Sequence, residues 1–270
     1  ACIDITGHPI APKRPWYRIY VTHSTANIAT IDPATIASKG SIYRGYLFHI
    51  SGQPTVSEAA QHLVALPDGA LVVGSDGTIQ WTGTWGDLPA VFAEYVVHDH
   101  RGSVIIPGLI DTHIHFPQTF AVDSYGGGEL LEWLTNCVFP AEARLADEEF
   151  GVQAAAVFTE RLASVGTTTS LVFGSQFPSA QDALFRAAMR TGIRVISGRS
   201  TMTVGGDGTA ALVTSEADAV TLVSDEISRW HASVTGDPAT AKIFAAVVPR
   251  FPLSVTRTTL AALGELYDSV

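Results

Sequence analysis

The chain predicts an α/β fold: about four βα units, the amino-terminal part of a (β/α)8 TIM-like barrel, preceded by a β-rich segment. Two patterns carry that prediction. From Val104 onward the period switches from strand to helix and back, and such alternation builds a parallel sheet with right-handed crossovers. At the head of that run, the apolar residues 105–110 lead into Asp111-Thr112-His113-Ile114-His115. An unbroken apolar run is the mark of a strand buried on both faces.

In chain order, residues 1–40 are mixed in character, with Pro at 9, 12, 15 and 33, and form an extension of unknown structure. Residues 41–103 are β-rich. Short strands are predicted at 43–50, 70–74, 78–82 and 95–98, with a helical turn at 57–63. Asp76-Gly77 marks a hairpin, since both residues tolerate positive φ. His98-Asp99-His100-Arg101-Gly102 reads as a polar turn. Residues 104–270 form the partial barrel. Its strands are predicted at 105–110, 167–173, 193–198 and 243–248. A short helix ends near Leu134, and a helix at 147–165 carries acids in its first turn, matching the helix dipole. Ser179 is placed as the cap of a helix reaching Arg190. Val220, Val223, Ile227 and Trp230 share one helical face, and Leu260, Leu263 and Tyr267 begin a fourth helix. About 165 residues follow Val104, whereas a closed barrel takes ~250, so the expectation is a sequence that stops halfway round.

Composition narrows the function. The 270 residues are 46% hydrophobic and 16% charged, with a net charge of −10. The 16 basic residues form no stripe, which argues against a nucleic-acid partner. The two cysteines, Cys2 and Cys137, make no disulfide framework and fit a reducing, cytoplasmic setting. Cys137 reads as a small core residue. No Cys-x-x-Cys supports a zinc site of the cytidine-deaminase type. No apolar run is long enough for a membrane span, and the start has no secretory signature.

The candidate chemistry lies at His113 and His115. Side chains at i and i+2 of a strand share a face, so the two imidazoles converge while Ile114 turns away. Converging neutral imidazoles supply two corners of a divalent-metal site, and parallel barrels carry catalytic groups at the carboxyl ends of their strands. Imidazole suits zinc, iron or nickel. His98 and His100 repeat the spacing but sit among turn residues and read as surface groups. His49 and His62 read as structural, and His231, on a helix, is not placed as a ligand.

The motif Pro107-Gly108-Leu109-Ile110-Asp111-Thr112-His113-Ile114-His115 resembles the first barrel strand of the amidohydrolase superfamily. Further motifs are similar to its guanine deaminase family: Phe116-Pro117-Gln118, Tyr125, Leu130-Leu131-Glu132-Trp133-Leu134, Phe139-Pro140-Ala141-Glu142, Gly166-Thr167-Thr168-Thr169 and Val248-Pro249-Arg250-Phe251. The resemblance runs from about Tyr43 to the end. It implies that residues 41–103 belong to a small β-sandwich and that His113 and His115 are zinc ligands. It further implies hydrolytic deamination of a purine base, guanine to xanthine and ammonia, by a homodimer. Two more His, an Asp and the acid–base Glu come from later strands in the family, so the catalytic residues themselves are expected beyond residue 270.

Within this chain the resemblance puts Gln118, Arg250 and Phe251 against the base. Read alone, Gln118 is first a solvated loop amide, whereas Arg250 is equally a salt-bridging cation and Phe251 equally a core ring. Leu131 and Trp133 are pocket wall in the family and core otherwise. Asp111 either orients an imidazole or closes a strand-end hydrogen bond. Gly126-Gly127-Gly128 lacks the Gly-Lys-Ser/Thr ending of a phosphate loop and reads as a turn. Two other readings stay open: a related deaminase or chlorohydrolase acting on an 8-oxopurine or triazine, and an inactive fragment whose half barrel exposes sheet edges.

Overall fold

The computed structural model describes residues 40–121, 128–206, 208–231 and 240–269. The extension expected over 1–40 therefore lies outside them except for Gly40, as do Tyr125, Gly126 and Gly127. The chain divides into one unit ending at Gly108 and a second beginning at Leu109.

In the first unit, β1 (Ser41–Ile50), β2 (Leu63–Val73), β3 (Ile79–Thr84) and β4 (Val96–Ile105) form one sheet in the order β3-β2-β1-β4. The β1/β2 and β2/β3 pairs are antiparallel, whereas β1 and β4 run parallel. Alternation along β1 sends Ile42 to one core, with Ala70, Val72, Phe92 and Tyr95, and Tyr43 to the other, with Leu47, Leu71 and Val73. The turn expected at Asp76-Gly77 is present: Gly77 has φ +83° and the Asp76 carboxylate accepts from Thr78 N at 3.0 Å.

Two expectations fail here for reasons of register. β2 begins well before residue 70. It tolerates Pro67 because the pairing slips there: Gly45 faces Gly69 but Leu47 faces Leu66, a bulge that needs no proline N–H. Residues 98–102 are likewise not a free turn but part of β4. The partner shift from Arg44↔Asp99 to Tyr46↔Val104 absorbs the extra residues, with Gly102 at φ +91°.

The second unit carries a parallel sheet in the order β5-β6-β7-β9, made of β5 (Leu109–His115), β6 (Thr167–Phe173), β7 (Arg194–Gly198) and, after a short β8 (Ser200–Thr201), β9 (Ile243–Ala245). The apolar run 105–110, expected as a strand, is not one strand. Pro107 has no N–H to give a ladder, so β4 ends at Ile105 and β5 begins at Leu109. Nor is β5 buried on both faces. It is the edge of the sheet, and Ile110 is 68% exposed. The predicted strand 243–248 also divides. β9 stops at Ala245, and β10 (Val248–Pro249) pairs with β8 instead. The two segments approach closely at this point, where a Cβ on Gly198 would lie 1.8 Å from the Ala246 carbonyl oxygen.

Helical segments follow the strands. α1 (Leu130–Trp133) runs through a π turn at Leu134–Val138 into α2 (Phe139–Ala143), well past the expected end near Leu134. Pro140, which cannot donate a backbone hydrogen bond, accounts for the widened turn. α3 (Glu148–Ser164) is capped by Asp147, whose carboxylate accepts from Phe150 N at 2.9 Å. α4 (Pro178–Thr191) starts on Pro178 with no side-chain cap, so Ser179 is not the cap; it lies in the first turn. Gly192 closes α4 at φ +71°. α5 (Glu216–Trp230) is capped by Ser215. α6 (Arg257–Ser269) buries Leu263 but leaves Leu260 and Tyr267 exposed.

Small residues let α3 and α4 approach closely, with Gly151 against Ala180. They cover the sheet with Phe158, Leu162, Leu184 and Phe185, which pack on Val172, Val195 and Phe116. Truncating a side chain such as Phe158 would cost about 3–5 kcal/mol. Among the described residues no helix is long and apolar enough to cross a membrane.

Candidate active site

β5 delivers His113 and His115 to its carboxyl end. Their ring centroids lie 5.2 Å apart with planes at 65°. Phe173, the last residue of β6 and the ladder partner of His115, packs against both, at 5.0 Å from His113 and 4.6 Å from His115. Burial, then the nearby Arg250 guanidinium and His113, push the His115 imidazole down to about 4. It is therefore neutral at pH 7, the state that can ligate a cation. His115 Nδ1 is buried with no hydrogen-bond partner among the described groups.

These facts fit a divalent cation as part of a site, not the whole of one. Two imidazoles are present, and among the described residues no cluster of three or more His, Cys, Asp or Glu could hold a metal.

Asp111 does not touch an imidazole. Its carboxylate accepts from His113 N at 3.0 Å and so closes the strand-end hydrogen bond. After His115 the chain turns at Phe116–Gln118, pinned by buried Phe116 against Phe158. That turn places Gln118, whose Nε2 donates to Glu142 Oε1 at 3.2 Å. Glu142 comes from α2 and is 2% exposed. Its other oxygen, Oε2, pairs with Arg250 Nη1. Arg250 directly follows β10, its backbone N donating to Thr201 O at 3.0 Å and its guanidinium lying 5.4 Å from the Phe139 ring centroid. Gln118 and Arg250 thus meet on one buried carboxylate. Phe251 is not a core ring; it is 58% exposed. Leu131 is exposed and Trp133 half-buried.

The other histidines go elsewhere. His98 stacks on Tyr43 at 4.9 Å and meets Ser41 Oγ at 3.3 Å. His231 Nδ1 meets Ala245 O at the end of α5. His49 and His62 contact backbone carbonyls of Ile50 and Ser51. Cys137 is a free thiol, half-buried in the π turn rather than in the core.

Sequence reasoning did not give Glu142 a role. The signal available was a lone acid in the otherwise apolar stretch 138–143, since a carboxylate is buried only when paired. A second buried acid, Glu226, was also missed. Its carboxylate accepts from Arg199 N at 3.2 Å, and burial raises it to about 8, against the opposing pull of that hydrogen bond and the Arg199 charge. Asp182 and Arg229 are its other charged neighbours.

A parallel α/β sheet with paired imidazoles at one strand's carboxyl end is an arrangement that metal-dependent hydrolases can use. Residues 104–269 match the amidohydrolase family model, and the chain belongs to that family. Within it, the chain is 39% identical over 83% of its length to the "Probable guanine deaminase" of Deinococcus radiodurans, covering 49% of that protein. It is 35% identical over 78% of its length to the guanine deaminase of Escherichia coli, covering 46%. The solved structure of Escherichia coli guanine deaminase superposes with a TM-score of 0.74 at 31% identity, over 85% of this chain and 51% of that one. The guanine deaminase structure from Bradyrhizobium japonicum gives 0.76 at 26% identity, over 86% and 48%. The chain spans about half the length of these relatives.

Proposed function

We propose that this chain carries the amino-terminal half of a zinc-dependent guanine deaminase. In this reading the sheet β5-β6-β7-β9 is the first half of a (β/α)8 barrel, and residues 41–103 belong to the family's small β-sandwich. The observation that carries the proposal is the buried, unpartnered His115 Nδ1 at the end of β5, with the Gln118–Glu142–Arg250 cluster assembled from the turn directly after it. That arrangement supports reading His115 as a metal ligand close to groups able to read a heterocycle.

His113 and His115 would hold the ion through neutral ring nitrogens. Zinc bound there would supply a water activated as nucleophile near neutral pH, to attack the amino-bearing C2 of guanine and release ammonia. Gln118, with both donor and acceptor on its amide, engages the edge of the base. Arg250 donates toward the guanine carbonyl oxygen, a contact its fixed charge strengthens as electron density moves onto that oxygen. Phe251, exposed beside Arg250, packs on the ring face. The resemblance to guanine deaminases at 35–39% identity supports the choice of guanine over other heterocycles.

The test is a turnover assay of the full-length protein, zinc-loaded, with guanine. Stoichiometric xanthine and ammonia are expected. No ammonia release would overturn the assignment.

A further inference from the structure

We propose that Glu142 is the positioning residue of the base-reading groups. One buried carboxylate holds the Gln118 amide and the Arg250 guanidinium in a single array, so that the two address the substrate as a unit. This rests on the deaminase reading above.

The geometry divides the carboxylate cleanly. Oε1 accepts from Gln118 Nε2 at 3.2 Å and Oε2 from Arg250 Nη1. A carboxylate paired to a guanidinium can only accept, so Gln118 must present its NH2 to it. The amide orientation follows from that chemistry, and Gln118 Oε1 is turned away from Glu142. Arg250 is fixed twice over, at one edge by Glu142 and across its face by the Phe139 ring.

Phe139 and Glu142 are both on α2, at the i, i+3 spacing that shares a helix face. The π turn directly before α2 sets the phase of that face, and such turns recur at functional sites. A purely structural ion pair would need Arg250 alone. Here the second oxygen goes to a side chain three residues beyond a candidate metal ligand.

Glu142→Gln loses the charge and keeps one acceptor oxygen for Arg250, so its NH2 can meet Gln118 only if that amide turns over and presents Oε1 instead of Nε2. Glu142→Asp keeps the charge but reaches one methylene less. The experiment is a double-mutant cycle in the full-length protein, measuring KM and kcat for guanine and the melting temperature. Glu142→Gln and Gln118→Ala should each raise KM by roughly 10-fold, the worth of a hydrogen bond to a charged group. The double variant should be little worse than the weaker-binding single, because both changes undo the same array. Losses that multiply would overturn the proposal.

If Glu142→Gln does not fold, Glu142→Asp carries the cycle. A raised KM at near wild-type melting temperature supports positioning, and a KM restored together with stability overturns it. A wild type inactive on guanine removes the deaminase reading and this proposal with it. An active wild type with multiplying losses removes only the role of Glu142.

Discussion

The chain contains the same three-residue pattern twice, and the two copies live in different physical worlds. His98 and His100 sit on β4, beside an exposed ion pair in which Arg101 grips Asp99, with Tyr43 stacked alongside. His113 and His115 sit at the carboxyl end of a parallel strand, wedged against Phe173, one ring desolvated and near a guanidinium. Spacing alone does not separate the pairs. What separates them is the buried, unpartnered Nδ1 of His115 and the neighbours each strand brings.

The largest expected contrast follows directly. Removing His113 or His115 should cost more activity than the roughly 10–100-fold that loss of an outer-shell partner costs. His98→Ala and His100→Ala should leave kcat and KM within twofold of wild type. Guanine turnover by the four single variants checks this, and a large loss at His98 would erase the distinction.

Next comes the acid that each unit treats differently. Glu226 is buried and raised to about 8, whereas Asp99 is exposed and held low by Arg101. For Glu226 the folded chain binds the extra proton between the unfolded value of ~4.3 and about 8. Its contribution is complete below that window and lost as pH rises through 8. Melting temperatures of Glu226→Gln against wild type from pH 5 to 9 should show the variant gaining with pH. A gap that does not change with pH would show the carboxyl is not held neutral. The smallest effects are at the aspartate two residues before His113 and the one between His98 and His100. Asp111→Ala should cost about 1 kcal/mol through the lost bond to His113 N. Asp99→Ala loses a solvated surface ion pair and a like bond from Arg101 N, and should lower the melting temperature no more than Asp111→Ala does.

The sequence made some of this legible and hid the rest, for reasons of range. β6 falls on the predicted residues 167–173, and α3 begins at its acidic cap, because both are written in contiguous local patterns. The break at Pro107 was written there too, but the apolar run overshadowed it. The division of β9 from β10 depends on the close approach of Gly198 to Ala246, a contact no local pattern carries. Glu142 was hidden for the same reason. Its partners lie 24 and 108 residues away, so its burial is visible only once α2, the turn after β5 and the end of β10 are brought together. Asp111 stood open between two roles, and only the geometry chose the backbone one.

Zinc content of the full-length protein and of its His115→Ala variant, after identical metal loading and desalting, decides whether His115 is a ligand. About one ion per chain is expected in the wild type, with a variant that folds but loses it. A His115→Ala protein that keeps its full zinc complement would show that the ion is not held there.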